Sequence, residues 1–95
     1  DECLITIEIK LYPNPFAEET FLNYYISEKS IVRIDLFSIT GNKIKELQNA
    51  PQEPGDHRVT VSGSELSAGI YYYQINAKAT GSNHSETRFG RMIKQ

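Results

Sequence analysis

A chain of 95 residues with ten basic and twelve acidic side chains has a net charge of −2 and room for one domain. The two signs are spread along its length, which excludes the clustered positive field that nucleic acid requires of a main partner. A single cysteine, Cys3, excludes an internal disulfide, and 39% hydrophobic against 23% charged residues places the chain among globular proteins rather than disordered ones.

No apolar run approaches the ~20 residues of a membrane helix, so no membrane-spanning segment is expected. The opening Asp1-Glu2-Cys3 reads as the interior of a longer protein. Residues 1–10 are then a first strand, or the end of a linker from an upstream domain.

Period-two alternation dominates from there on, the pattern of strands rather than helices. CLITIEIKL sets Ile5, Ile7, Ile9 and Leu11 on one face, opposite Thr6, Glu8 and Lys10. LYPNPF follows at once. Pro13 and Pro15 lack N–H donors and cannot sit inside a ladder, so the segment is expected as an extended, weakly paired strip. Tyr12 and Asn14, each before a proline, are pushed toward extended conformations. Leu11, Tyr12 and Phe16 are expected to anchor the strip against the core.

TFLNYYI alternates less cleanly and includes Leu22, Tyr24 and Ile26. IVRIDLFSI sets Val32, Ile34 and Leu36 against Arg33 and Asp35, and its second face carries Phe37 and Ile39, as a central strand would. Thr40-Gly41-Asn42-Lys43 is a hairpin turn whose middle residues both tolerate positive φ. KIKELQ returns, and NAPQEPGD is expected as a turn-rich linker. HRVTV points Val59 and Val61 inward, SGSELSAG intervenes, and IYYYQINAKA is the strongest strand signal. TGSNHS is a loop before ETRFGRMI. Seven short strands at roughly 10-residue spacing predict an all-β fold, an immunoglobulin-like antiparallel β-sandwich in one domain over residues 1–95. Gly69 two residues before Tyr71 resembles a tyrosine corner, whose phenol bonds back to nearby backbone.

The residues offer little to catalysis. His57 and His84 lie in different segments without partners at metal spacing and read as solvated. Cys3 has no base near it in sequence, and Glu18-Glu19 read as solvated loop carboxylates. The six glycines are scattered singly, so no phosphate cradle exists. No catalytic, metal or cofactor residue is assigned. Asn83-His84-Ser85 fits a glycosylation sequon, and one of Tyr71, Tyr72 and Tyr73 should expose a ring that could stack on sugar. Arg88, Arg91 and Lys94 read either as a basic edge strand protected against aggregation or as a docking tail.

Taken in order, LYPNPF, IDLFSITGNKI, PGDHRVTV, ELSAGIYYYQI and RMIKQ resemble the type A C-terminal sorting domain of substrates of the Bacteroidetes type IX (Por) secretion system. The resemblance runs from Leu11 to Lys94. It implies an immunoglobulin-like domain that is not an enzyme and needs no cofactor. Its implied partners are a fused upstream cargo domain, the outer-membrane translocon and a sortase that removes or anchors. The implied itinerary is export to the periplasm, then secretion or surface attachment. The family motif maps onto Leu11, Tyr12, Pro13, Asn14, Pro15, Gly41, Gly69 and Tyr71, and translocon recognition onto Arg91, Met92, Ile93 and Lys94. Two departures stand out: Arg91 occupies a position usually held by lysine, and the loop Thr80–Ser85 is long. The competing reading is an immunoglobulin-like accessory adhesion or carbohydrate-binding module.

Overall fold

The computed structural model describes residues 5–64 and 66–95. The alternating runs become β1 (Ile7–Tyr12), β2 (Glu19–Ile26), β3 (Ser30–Ser38), β4 (Lys43–Gln52), β5 (Gly55–Ser62), β6 (Gly69–Ala79) and β7 (Ser85–Lys94). The chain is all-β: two antiparallel sheets, ordered β1-β2-β5 and β4-β3-β6-β7, face one another as a sandwich. Cys3 lies outside the described residues.

One side of each strand supplies the core. Leu22, Tyr24 and Ile26 of β2 share one buried cluster with Val32, Ile34 and Leu36 of β3, joined by Val59 and Val61 beside β2 and by Ile75 and Ala77 beside β3. Each large apolar side chain so buried contributes about 2 kcal/mol. β3 is central, as its two apolar faces foretold, and β7 is an edge strand.

Three expectations change. The expected linker over NAPQEPGD is mostly strand: β4 continues through Gln52, pairing Asn49 to Gln52 with Arg33 to Ser30, and only Glu53 and Pro54 separate it from β5. Pro51 marked a break in the sequence, but β4 lies at a sheet edge, where a strand can lack a donor. The hairpin turn needs the left-handed region at Gly41 alone (φ 93°), because Asn42 has negative φ. Ser38 closes this turn, accepting from Gly41 N–H at 2.9 Å and donating its own N–H to Asn42 O at 2.8 Å. Tyr12 is no anchor. It is 68% exposed, whereas Phe16 is 1% exposed and sits in the core.

The strip joins β1 to its sheet neighbour β2 and on the way touches β7 of the other sheet at Phe16, with cis peptide bonds before Pro13 and Pro15. Thr20 is fully buried and donates its hydroxyl to Pro13 O at 2.5 Å, so the strip's inward carbonyl is satisfied without a ladder.

Candidate functional site

The two ends of the motif set meet in space. Asn14 reaches β7 with both ends of its amide: Oδ1 accepts from Ile93 N–H at 2.9 Å and Nδ2 donates to Arg91 O at 3.2 Å. Phe16 continues the pairing, donating its N–H to Ile93 O at 2.9 Å and accepting from Gln95 N–H at 2.7 Å. Phe16 and Lys94 thereby form a single parallel bridge. The side-chain amide stands in for a backbone amide that Pro13 and Pro15 cannot supply. LYPNPF is therefore a clasp over the outer edge of β7 from Arg91 to Gln95.

Further along β7, the edge is managed differently. Glu86 and Arg88 pair with each other on its inner side, and inward charge at an edge discourages a stray strand. Gly90 lies under the Tyr73 ring: a Cβ there would stand 2.1 Å from Cζ.

Pairing separates the segment Arg91–Lys94 into two faces. Met92 is fully buried beneath Tyr71, and Lys94 points to the same side, its Cε 2.6 Å from where a Cβ on Gly63 would stand. Arg91 and Ile93 face outward. Arg91 stands in one row with Tyr72, Phe37 and Lys43, and Ile93 stands opposite Ile70. Tyr72 is 39% exposed and Phe89, one row away, 72%. The outer surface around Arg91 is aromatic, aliphatic and cationic.

Tyr71 makes the corner that its spacing suggested. Its hydroxyl donates to Ser67 O at 2.7 Å, four residues upstream, just where Gly69 begins β6. Of the three consecutive tyrosines, Tyr71 and Tyr73 are buried and Tyr72 is exposed.

Sequence reasoning missed a charge cluster on the same outer face. Asp35, 6% exposed, has Arg33 Nε 3.2 Å from Oδ2 and Lys43 Nζ 3.2 Å from Oδ1, with Glu46 close to both cations. The Lys43 contact is a charge contact without hydrogen-bond alignment. Asp35 alternates like a solvated strand residue, and the register shift beside it, which no pattern announces, tucks it under the cations.

His57 differs from its solvated reading. It lies in β5, half-buried, stacked on Tyr24 at 5.3 Å, with Nε2 2.7 Å from Glu53 O. Tyr24 donates its hydroxyl to Gln52 Oε1. Burial pushes its phenol up to about 12, with Gln48 offsetting part of the rise. Burial also raises Tyr73. Among the described residues no group of three metal-ligating side chains comes together, and no helix is long and apolar enough to cross a membrane. Asn83 is exposed in the loop between β6 and β7.

The family model for the secretion system C-terminal sorting domain matches residues 10–86. That span holds the LYPNP segment, Gly41, Gly69 and Tyr71, and stops short of Arg91–Lys94. No curated protein matches the sequence. Among solved structures, the crystal structure of CopC from Methylosinus trichosporium OB3b is similar, with a TM-score of 0.63. The likeness covers 93% of this chain and 94% of that one at 14% identity, and is a likeness of fold.

Proposed function

The chain belongs to the family of secretion system C-terminal sorting domains, the sorting signals of type IX secretion, and we propose that it carries a cargo fused upstream of it through the outer-membrane translocon. The cargo first reaches the periplasm. A sortase then removes the domain or anchors the product at the surface. The domain itself performs no catalysis: it is an address.

The observation that carries this reading is the Asn14 clasp. A carrier that serves many cargoes must read something common to all of them, so it reads a folded surface. The clasp fixes the Arg91–Lys94 segment against the sandwich and leaves Arg91 and Ile93 outward, among Tyr72, Phe37 and Phe89. In this reading Met92 and Lys94 set the segment in place from within, while Arg91 and Ile93 meet the translocon. A guanidinium beside exposed aromatic rings suits a partner that combines acidic groups with apolar pockets. Strand addition to the Arg91–Gln95 edge requires the clasp to release first, because its outward groups are already paired.

The test is secretion of a periplasm-directed fluorescent protein carrying this domain, in a host with an active type IX system and a translocon-deficient control. The wild-type fusion leaves the first host and stays inside the second, and Arg91→Ala lowers export while the domain remains folded. If Arg91→Ala and removal of Met92–Gln95 both leave secretion unchanged, the reading of this surface is wrong.

A further inference from the structure

The outer face of β1-β2-β5, in the sheet opposite the one that carries Arg91–Lys94, holds a second arrangement of charged side chains. Six outward side chains surround a shallow depression of about 580 Å³. Glu8, Tyr25 and Asp56 form one cross-strand row, and Lys10, Asn23 and Arg58 the next. The acids therefore flank a phenol ring and the cations flank an amide. The rows are two residues apart along the strands, about 7 Å.

Opposite charges on a solvated sheet face ordinarily gain by standing directly across from each other. Around Asp35 they at least meet, Arg33 from two residues along β3 and Lys43 from the neighbouring row of β4. Here they are sorted by sign, and among the described residues none of the four forms an ion pair. Arg58 is held rather than loose: its guanidinium lies over the Phe21 ring at 4.7 Å, and Nε donates to Asn23 Oδ1 at 2.9 Å. Among the described residues neither Nη group makes a hydrogen bond. Asn23 Nδ2 makes only long contacts, 3.4 Å to Lys10 O and 3.4 Å to Phe21 O, and can donate elsewhere.

From this sorted frame we infer a binding site for a small zwitterion, an ammonium joined by a short carbon bridge to a phosphate. The ammonium lies against Tyr25 between the Glu8 and Asp56 carboxylates, where ring face and charge both attract it. The phosphate lies in the other row, between Lys10 and Arg58, with the guanidinium offering a two-pronged contact. Neither charge of such a ligand is left without a partner. A lone anion forfeits the acidic row, and a lone amine the basic one. The same chemistry occurs in a phosphatidylethanolamine headgroup and in soluble phosphoethanolamine groups.

The experiment is a titration of the isotopically labelled 95-residue chain with O-phosphoethanolamine, followed by backbone amide resonances at low ionic strength. Saturable shifts should gather at residues 8–10, 23–25 and 56–58, with affinity at least about tenfold above that for inorganic phosphate or ethanolamine alone. Arg58→Gln should weaken binding about tenfold. The pair Glu8→Gln and Asp56→Asn should reduce the affinity to that of phosphate. Dispersed spectra of each variant show that it is folded. Cosedimentation with phosphatidylglycerol vesicles, with and without phosphatidylethanolamine, identifies the source. Binding only when ethanolamine is present assigns a lipid, and saturation by the soluble probe without vesicle binding assigns a soluble ligand. Absent or scattered shifts, or phosphate binding as tightly as O-phosphoethanolamine, overturn the inference.

Discussion

Ile93 and Asn14 are 79 residues apart in sequence and directly joined, the Ile93 N–H donating to Asn14 Oδ1 at 2.9 Å. The same amide donates to Arg91 O, so one side chain spans two successive outward groups of an edge strand. Asn14→Ala breaks both bonds. At about 1 kcal/mol each, their loss should speed exchange of the Ile93 amide about tenfold or more while the β3 and β6 amides stay protected. Asn14→Asp keeps an acceptor for Ile93 and loses the donor to Arg91, so its effect should be smaller. Hydrogen exchange resolved at Ile93 measures both, and unchanged exchange in Asn14→Ala would mean the clasp does not hold the strand.

The same six residues predict a sharp contrast between two aromatics. Phe16 is buried and Tyr12 stands in solvent. Phe16→Ala should cost about 3–5 kcal/mol in urea unfolding, through lost burial and the cavity left behind. Tyr12→Ala should change stability by less than about 0.5 kcal/mol. Equal costs for the two would contradict the packing.

These contrasts mark where the sequence was legible. Alternation at Val32-Ile34-Leu36, and less cleanly at Leu22-Tyr24-Ile26, announces strands and inward faces, because a sheet with one buried side allows only that register. Gly41 and the Gly69–Tyr71 spacing announce a turn and a corner, each a local backbone demand. The clasp was not legible. Asn14 carries no mark of its partner, since nothing local in LYPNPF says which distant edge its amide will meet. The strip was expected to anchor through Tyr12 as well as Phe16, but alternation stops at a proline and gives no side for the residue before it. β4 was cut short because Pro51 reads as a breaker unless the strand is known to lie at an edge. The charge frame of Glu8, Lys10, Asp56 and Arg58 was invisible for a related reason: its members are ordinary solvated positions until β2 is placed between β1 and β5.

Gly90 should tolerate no side chain. Its backbone lies against the Tyr73 ring, and an added Cβ would stand 2.1 Å from Cζ and 2.4 Å from Cε2. Gly90→Ala must displace a buried ring, at a cost of about 1–3 kcal/mol. A Tyr73→Leu background should remove most of that cost, so the double variant should be less destabilised than the sum of the singles. Additive effects in thermal unfolding would show that the ring has room to move.

Tyr24 predicts an alkaline limit to stability, and its sign follows from which state holds the proton. Burial raises its phenol from 10.0 to about 12 in the folded chain. Between those values the unfolded state has released its proton and the folded state keeps it, so folding opposes an ionisation that unfolding permits. The contribution is therefore whole below pH 10 and declines as pH rises toward 12, by on the order of 2 kcal/mol in total. Tyr73, raised by burial as well, adds a decline in the same direction. Urea unfolding at a series of alkaline pH values should show midpoints falling across this window. Tyr24→Phe loses the bond to Gln52 and starts lower, but with no phenol to ionise its midpoint should fall less steeply. Parallel slopes for the two proteins would place the alkaline loss outside Tyr24.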